Sequence, residues 1–85
     1  MKLYPTAAFK KDYQRLPQQI QKRVDKQLGF LLEDPSHPSL GCKKMKDPRE
    51  IWELRVTYSY RLTFQKVEDV YVLRRVGTHE ILQKP

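Results

Sequence analysis

IWELRVTYSYRLTFQKVEDVYVLRRVGTHEIL, residues 51–82, decides the fold. The stretch reads as three consecutive strands. Trp52, Leu54 and Val56 alternate with Ile51, Glu53 and Arg55, and Tyr60, Leu62 and Phe64 alternate with Ser59, Arg61 and Thr63. Successive side chains of a strand point to opposite faces, so one face of this hairpin is apolar. If that face packs on helices, Glu53, Arg55 and Arg61 emerge together on the open one. The third strand, Val70 to Val76, has no clear phase. Val70, Val72 and Val76 alternate with Tyr71, Leu73 and Arg75, and apolar residues in both sets fit a central strand covered on both faces. Arg74 and Arg75 are neighbours, so in a regular strand only one joins the open face. Arg75 has the parity of Gly77 and His79, and Gly77 permits a sharp change of direction that delivers His79.

Upstream, Lys2 to Pro5 can form a short strand that ends at the proline, with Thr6 as the N-cap of the first helix. Phe9, Tyr13, Leu16 and Ile20 make a helical stripe with Lys10, Lys11, Asp12 and Arg15 turned outward. Pro17 breaks that run and fits the first turn of a new helix, from Pro17 to Glu33. Ile20, Val24, Leu28, Leu31 and Leu32 supply its apolar face, and Gly29 reads as a point of close packing. Residues 35–48, PSHPSLGCKKMKDP, are a loop by composition, interrupted late by Lys43, Lys44 and Lys46. The expected fold is α+β: an N-terminal strand and a two-helix hairpin on a mostly antiparallel sheet of about four strands. With 85 residues the chain has room for a single domain, 1–85, and one modest core.

Lys and Arg number 17 against 10 Asp and Glu, a net charge of +7. That excess favours a nucleic acid or an acidic protein as partner. Cys42 is the only cysteine, so no intramolecular disulfide forms. No signal-like or membrane-spanning run is present, so a cytoplasmic location and no membrane partner are expected. There is no Cys/His cluster, no acidic cluster and no glycine-rich phosphate loop, so no metal and no small-molecule cofactor is expected. Metal-free RNA cleavage fits that inventory. The 2′-hydroxyl attacks the adjacent phosphate, a base takes its proton, an acid protonates the leaving 5′-oxygen, and cations stabilise the crowded charge. Arg55 and Arg61 are suited to bidentate phosphate binding. A histidine can act as acid or base at neutral pH, and His79 reads equally as a proton carrier or as a surface residue that bonds the last segment. Glu53 is a base held ionised by arginine or a structural ion pair with Arg55. Lys43, Lys44 and Lys46 grip phosphate or decorate a turn, Tyr58 stacks on a base or shapes a turn, and His37 sits in the proline-rich loop without an evident companion.

Three strings, WELRV at 52–56, YRLTF at 60–64 and RRVGTHEIL at 74–82, come after FKKDYQRLPQQIQKRVDKQLGFL in an order that resembles the RelE/ParE superfamily of bacterial and archaeal toxins. The resemblance spans nearly the whole chain. It implies a toxin of a type II toxin–antitoxin system, neutralised by a cognate antitoxin that wraps it. In the RelE branch, favoured here, such toxins are ribosome-dependent mRNA endonucleases that inhibit translation, with ribosome and mRNA as partners. In the ParE branch the target is DNA gyrase and no nuclease site is needed. A plain basic nucleic-acid-binding module is the remaining alternative. Carried over residue by residue, the resemblance implies catalytic roles for His79, Arg61, Arg55 and Glu53, and Arg75, by its parity with His79, completes the expected catalytic set. Lys43, Lys44, Lys46, Tyr58 and Arg74 form the expected RNA-binding set. Two departures stand out: Glu53 and Arg55 occupy the strand where RelE carries a lysine pair, and the chain closes on ILQKP without the C-terminal tyrosine of RelE-like proteins.

Overall fold

A computed structural model describes residues 1–85. Strand β1 (Lys2–Pro5) leads into helix α1 (Ala7–Gln14), helix α2 (Gln18–Glu33), a 3-10 turn at Pro38–Leu40, strands β2 (Lys43–Lys44), β3 (Trp52–Arg55), β4 (Tyr60–Val67) and β5 (Val70–Thr78), and a closing 3-10 segment, His79–Gln83. Thr6 is the N-cap of α1, as expected: its hydroxyl accepts from the Phe9 amide at 3.2 Å and donates to the Leu73 carbonyl at 2.9 Å. The capping side chain therefore also ties the helix start to β5. Pro17 sets the boundary between the helices, because the residue before a proline is pushed out of the helical region.

The five strands lie in the order β1-β5-β4-β3-β2. β1 runs parallel to β5, and the other pairs are antiparallel. The sheet has one strand more than expected. Lys43–Lys44 pairs with Glu53 and Trp52 although its neighbourhood reads as loop, because a two-residue strand is too short to show a period. Two lysines on the sheet edge also discourage pairing with another chain.

β5 explains its own unclear phase. Thr63 pairs with Arg75 but Phe64 pairs with Leu73, so Arg74 is an extra residue, a β-bulge. The bulge resets the alternation. Tyr71 and Leu73 before it and Val76 after it all reach the same side, and all three are buried. The main core lies there, between the sheet and the helices. It joins Phe9, Val24, Leu28 and Leu31 of the helices and Leu40 of the 3-10 turn to Leu54, Val56, Leu62, Phe64, Tyr71, Leu73 and Val76, with Trp52 and Tyr60 packed at its margin. The alternating faces of β3 and β4 therefore pack as expected. Leu32 does not join them and is 40% exposed.

The other face of the sheet is not open throughout. Residues 79–85 fold back over it. The Thr63 hydroxyl donates to the Pro85 main-chain oxygen at 3.2 Å, and Arg74 Nε donates to the same oxygen at 3.0 Å. Ile81 packs against Gly77, where an added Cβ would stand 2.9 Å from Ile81 Cγ2. Gly77 is therefore not the expected bend: it stays within β5, and the chain turns only after Thr78. Its missing side chain makes room for Ile81. Ile51, Ile81 and Thr63 are buried outside the main core.

Asp12 was expected to face solvent. Instead its carboxylate accepts from Arg75 Nε at 2.6 Å, from Arg75 Nη2 at 3.3 Å and from the Val76 amide at 3.2 Å. β1 pairs only with Val70–Leu73, so farther along β5 loses its strand partner and α1 supplies this carboxylate to the exposed edge. The Asp12→Ala variant leaves an edge amide unpaired and a half-buried guanidinium without its carboxylate, and is expected to lose about 2 kcal/mol in urea unfolding. Gly29 was expected to permit close packing, yet a Cβ there would meet nothing within 4 Å. Gly29→Ala is therefore expected to raise the urea-unfolding free energy by about 1 kcal/mol, the helix-propensity difference between the two residues.

Candidate functional site

The strand registers place the charged residues of the second face in two rows. One row runs Lys43, Glu53, Thr63, Arg75 across β2, β3, β4 and β5, and the next runs Arg55, Arg61, Gly77. Arg55 and Arg61 are thus direct cross-strand partners, with Cβ atoms about 5 Å apart as in any such pair. Like charges directly opposite each other destabilise a sheet. No carboxylate offsets this pair, because the four ion pairs of the structure involve Lys43, Lys44, Arg49 and Arg75.

Arg61 turns back over the β3–β4 connection. Its Nη1 donates to the carbonyls of Thr57 at 2.6 Å, Tyr58 at 3.2 Å and Tyr60 at 3.0 Å. Its Nε and Nη2 make no such bond. Arg55 is exposed, and its backbone is held from below: Gln27 Nε2, on α2, donates to the Arg55 carbonyl at 2.8 Å and to that of Ser39 at 3.2 Å. Arg23 Nε does the same for the Val56 carbonyl at 3.1 Å. Gln27 is 1% exposed, and its Oε1 has no partner. An unsatisfied buried carbonyl of this kind costs about 1–3 kcal/mol. The two donated bonds fix the end of β3, where Arg55 sits. In sequence Gln27 reads only as one polar residue of an amphipathic helix; its place in step with Val24 and Leu31 on the buried face was the available signal.

The remaining candidates divide into those the structure gathers and those it occupies elsewhere. Glu53 shares a face with Arg55 and Arg61, as expected, but is only 8% exposed. It does not form the ion pair with Arg55; its one charged neighbour is Lys43 Nζ at 3.9 Å. Arg75 is held by Asp12, and its Nη1 reaches the Lys84 carbonyl at 3.2 Å. That bond with Asp12 raises its pKa further, so its charge is permanent. Arg74 bonds Pro85 and Gln65. The bulge thus overturns the expectation that only one of these two arginines reaches this face: both guanidinium groups meet the returning C-terminal segment. Lys43 and Lys46 are exposed, while Lys44 pairs with Glu50 at 3.2 Å. His79 is exposed and opens the closing 3-10 segment, one residue beyond the last paired position, Thr78 opposite Tyr60. It lines a shallow depression with Tyr58, Ser59, Thr78 and Glu80.

His37 is not idle. Its Nδ1 accepts from the Ser39 amide at 3.1 Å, and its ring stacks on Phe30 at 3.9 Å between centroids, so it caps the 3-10 turn. Burial pushes the Cys42 thiol above its ordinary value, which leaves it a poor nucleophile. No group of His, Cys, Asp and Glu stands together in a way that could hold a metal ion, and no helix is long and apolar enough to cross a membrane.

The ParE toxin of the type II toxin–antitoxin system parDE matches residues 3–82 as a family. The chain belongs to that family. Solved structures agree on the fold. A metal-bound toxin from Helicobacter pylori superposes with a TM-score of 0.79 at 22% identity, over 96% of this chain and 98% of that one. A chain of the RelB-RelE antitoxin–toxin complex from Methanococcus jannaschii does so at 0.76 and 22%, over 95% of each. The YoeB/ParE toxin from Agrobacterium tumefaciens superposes at 0.75 and 17%, over 93% and 99%. At these identities the likeness is one of fold: two helices on a mixed sheet, as in RelE-like toxins. No curated protein matches the chain.

The loop between β2 and β3 has its own internal brace. Asp47 accepts from the Arg49 amide and guanidinium, which hold its carboxyl down to about 2 from 3.8. A carboxyl depressed in the folded state contributes stability that is complete above its ordinary value and lost as pH falls through the depressed one. The loop 45–50 is therefore expected to stay closed at pH 4 and to loosen toward pH 2. A carboxyl carbon-13 titration should show an Asp47 midpoint near 2 that moves up toward 3.8 in Arg49→Ala, which loses the guanidinium bonds and keeps the amide bond.

Proposed function

We propose that this member of the ParE toxin family is a ribosome-dependent mRNA endonuclease, cutting through the RNA 2′-hydroxyl without a metal. The observation that carries this reading is the Arg55–Arg61 pair, two guanidinium groups directly opposed on adjacent strands with no carboxylate to balance them. Such a pair costs stability in the free protein, and a polyanion removes the cost. Arg55 offers its whole guanidinium, and Arg61 offers Nε and Nη2 while Nη1 stays on the turn carbonyls.

In this reading a phosphodiester lies across the two arginines. The 2′-hydroxyl attacks the phosphorus, its proton passes to a base, and a protonated group returns one to the departing 5′-oxygen as the bond to it breaks. His79 is exposed just beyond the strand end, and its imidazole serves as the proton carrier. The arginines stabilise charge on the non-bridging oxygens. Glu53, little exposed and next to Lys43, orders the floor of the site instead of meeting substrate. Lys43 and Lys46 guide the RNA backbone. The RelB-RelE complex from Methanococcus jannaschii is an antitoxin–toxin pair, and by analogy this chain is held inactive by a cognate antitoxin.

The family match itself favours a second reading, a ParE-like gyrase inhibitor that performs no chemistry. Induced expression and then primer extension on a translated message separate the two. The nuclease reading expects cuts in phase with codons. It also expects a loss of about 100-fold or more in cleavage for His79→Ala, the usual scale of a proton-transfer residue. Intact message with DNA breaks and arrested growth would replace it with the gyrase reading.

A further inference from the structure

Tyr58 is 90% exposed, far more than any other aromatic residue that the main core does not account for. An exposed ring on a loose loop would mean little, but this turn is braced. Arg61 Nη1 binds the carbonyls of Thr57, Tyr58 and Tyr60. The Thr57 hydroxyl accepts from the amides of Ser59 and Tyr60 at 3.3 Å each, and the Val56 and Thr57 amides both reach the Tyr60 carbonyl. The ring is thus presented to solvent on a fixed support, one bond away from the arginine proposed to hold phosphate.

Beside it lies the depression lined by Tyr58, Ser59, Thr78, His79 and Glu80. Glu80 has no ion-pair partner in a chain of net charge +7. A free carboxylate repels phosphate, so the part of the depression beside Glu80 suits a base better than the backbone. A carboxylate accepts hydrogen bonds, as do the hydroxyls of Ser59 and Thr78, and the edge of a nucleobase supplies donors. We propose that the depression takes one unstacked base of a single-stranded RNA, stacked on the Tyr58 ring, with Glu80 accepting from an exocyclic amino group. The phosphate beside that base then falls toward Arg61. This subsite rests on the nuclease reading and adds a specificity to it: adenine, cytosine and guanine carry such an amino group, whereas uracil presents carbonyl oxygens in its place.

The test uses 2′-O-methyl RNA hexamers, which cannot be cut through the 2′-hydroxyl, with binding measured by fluorescence anisotropy. Tyr58→Ala is expected to weaken oligoadenylate binding about 5- to 100-fold, the range for loss of one base–aromatic stack. Tyr58→Phe should restore it, and an abasic hexamer should bind all three proteins equally. Glu80→Gln should narrow the preference for oligoadenylate over oligouridylate. Arg55→Ala separates the base subsite from the phosphate pair. If it weakens binding while Tyr58→Ala does not, the base subsite is wrong and the phosphate pair stands. If neither changes binding, the nuclease reading itself loses its support. Equal weakening of the abasic hexamer by Tyr58→Ala would make Tyr58 a general structural residue and overturn the subsite.

Discussion

One extra residue in β5 organises this molecule. A strand alternates its side chains strictly, so a regular β5 could bury Tyr71 and Leu73 or Val76, but not all three. The bulge at Arg74 lets the strand change phase midway. Leu73 and Val76 then both meet the helices, and Arg75 and Gly77 fall on the second face in register with Thr63 and Arg61. The same event brings two adjacent guanidinium groups to the returning C-terminal segment, Arg74 to the Pro85 oxygen and Arg75 to the Lys84 carbonyl. Core packing, the covering of the second face and the arrangement of the charged rows thus stem from a single insertion.

Charge is divided accordingly. Arg49 and Arg75 have well-formed side-chain carboxylate partners, and Arg74 bonds the Pro85 main-chain oxygen and the Gln65 side chain. These cations hold the chain to itself. Arg55 and Arg61 have no carboxylate, and the protein supports them indirectly: through Gln27 beneath the Arg55 backbone and through three turn carbonyls around one nitrogen of Arg61. Buried polar groups kept at a cost, such as the unpartnered Oε1 of Gln27, mark where position matters more than stability.

The main elements of the fold were legible because their signals are local. The period of two in residues 52–56 and 60–64, the helical stripes on either side of Pro17 and the Thr6 cap depend on neighbours within a few positions, and each element formed as read. β2 escaped because two residues carry no period. The roles of Asp12 and His37 escaped for a different reason: each serves a partner, β5 or Phe30, whose proximity emerges only when the chain is folded. For the candidate site, that Glu53, Arg55 and Arg61 share a face could be read from alternation. That Glu53 is covered, and that Arg75 already has a carboxylate, could not.

By itself the sequence determined the element types, the apolar face of the hairpin, the excess of positive charge and the family, since these rest on composition and short-range spacing. The tertiary structure decided the fifth strand, the phase of β5, the return of residues 79–85 over the sheet, and which arginines keep a free guanidinium. Those outcomes depend on pairings between residues far apart in the chain, and a hydrogen bond or ion pair across such a distance leaves no periodic trace in the order of amino acids.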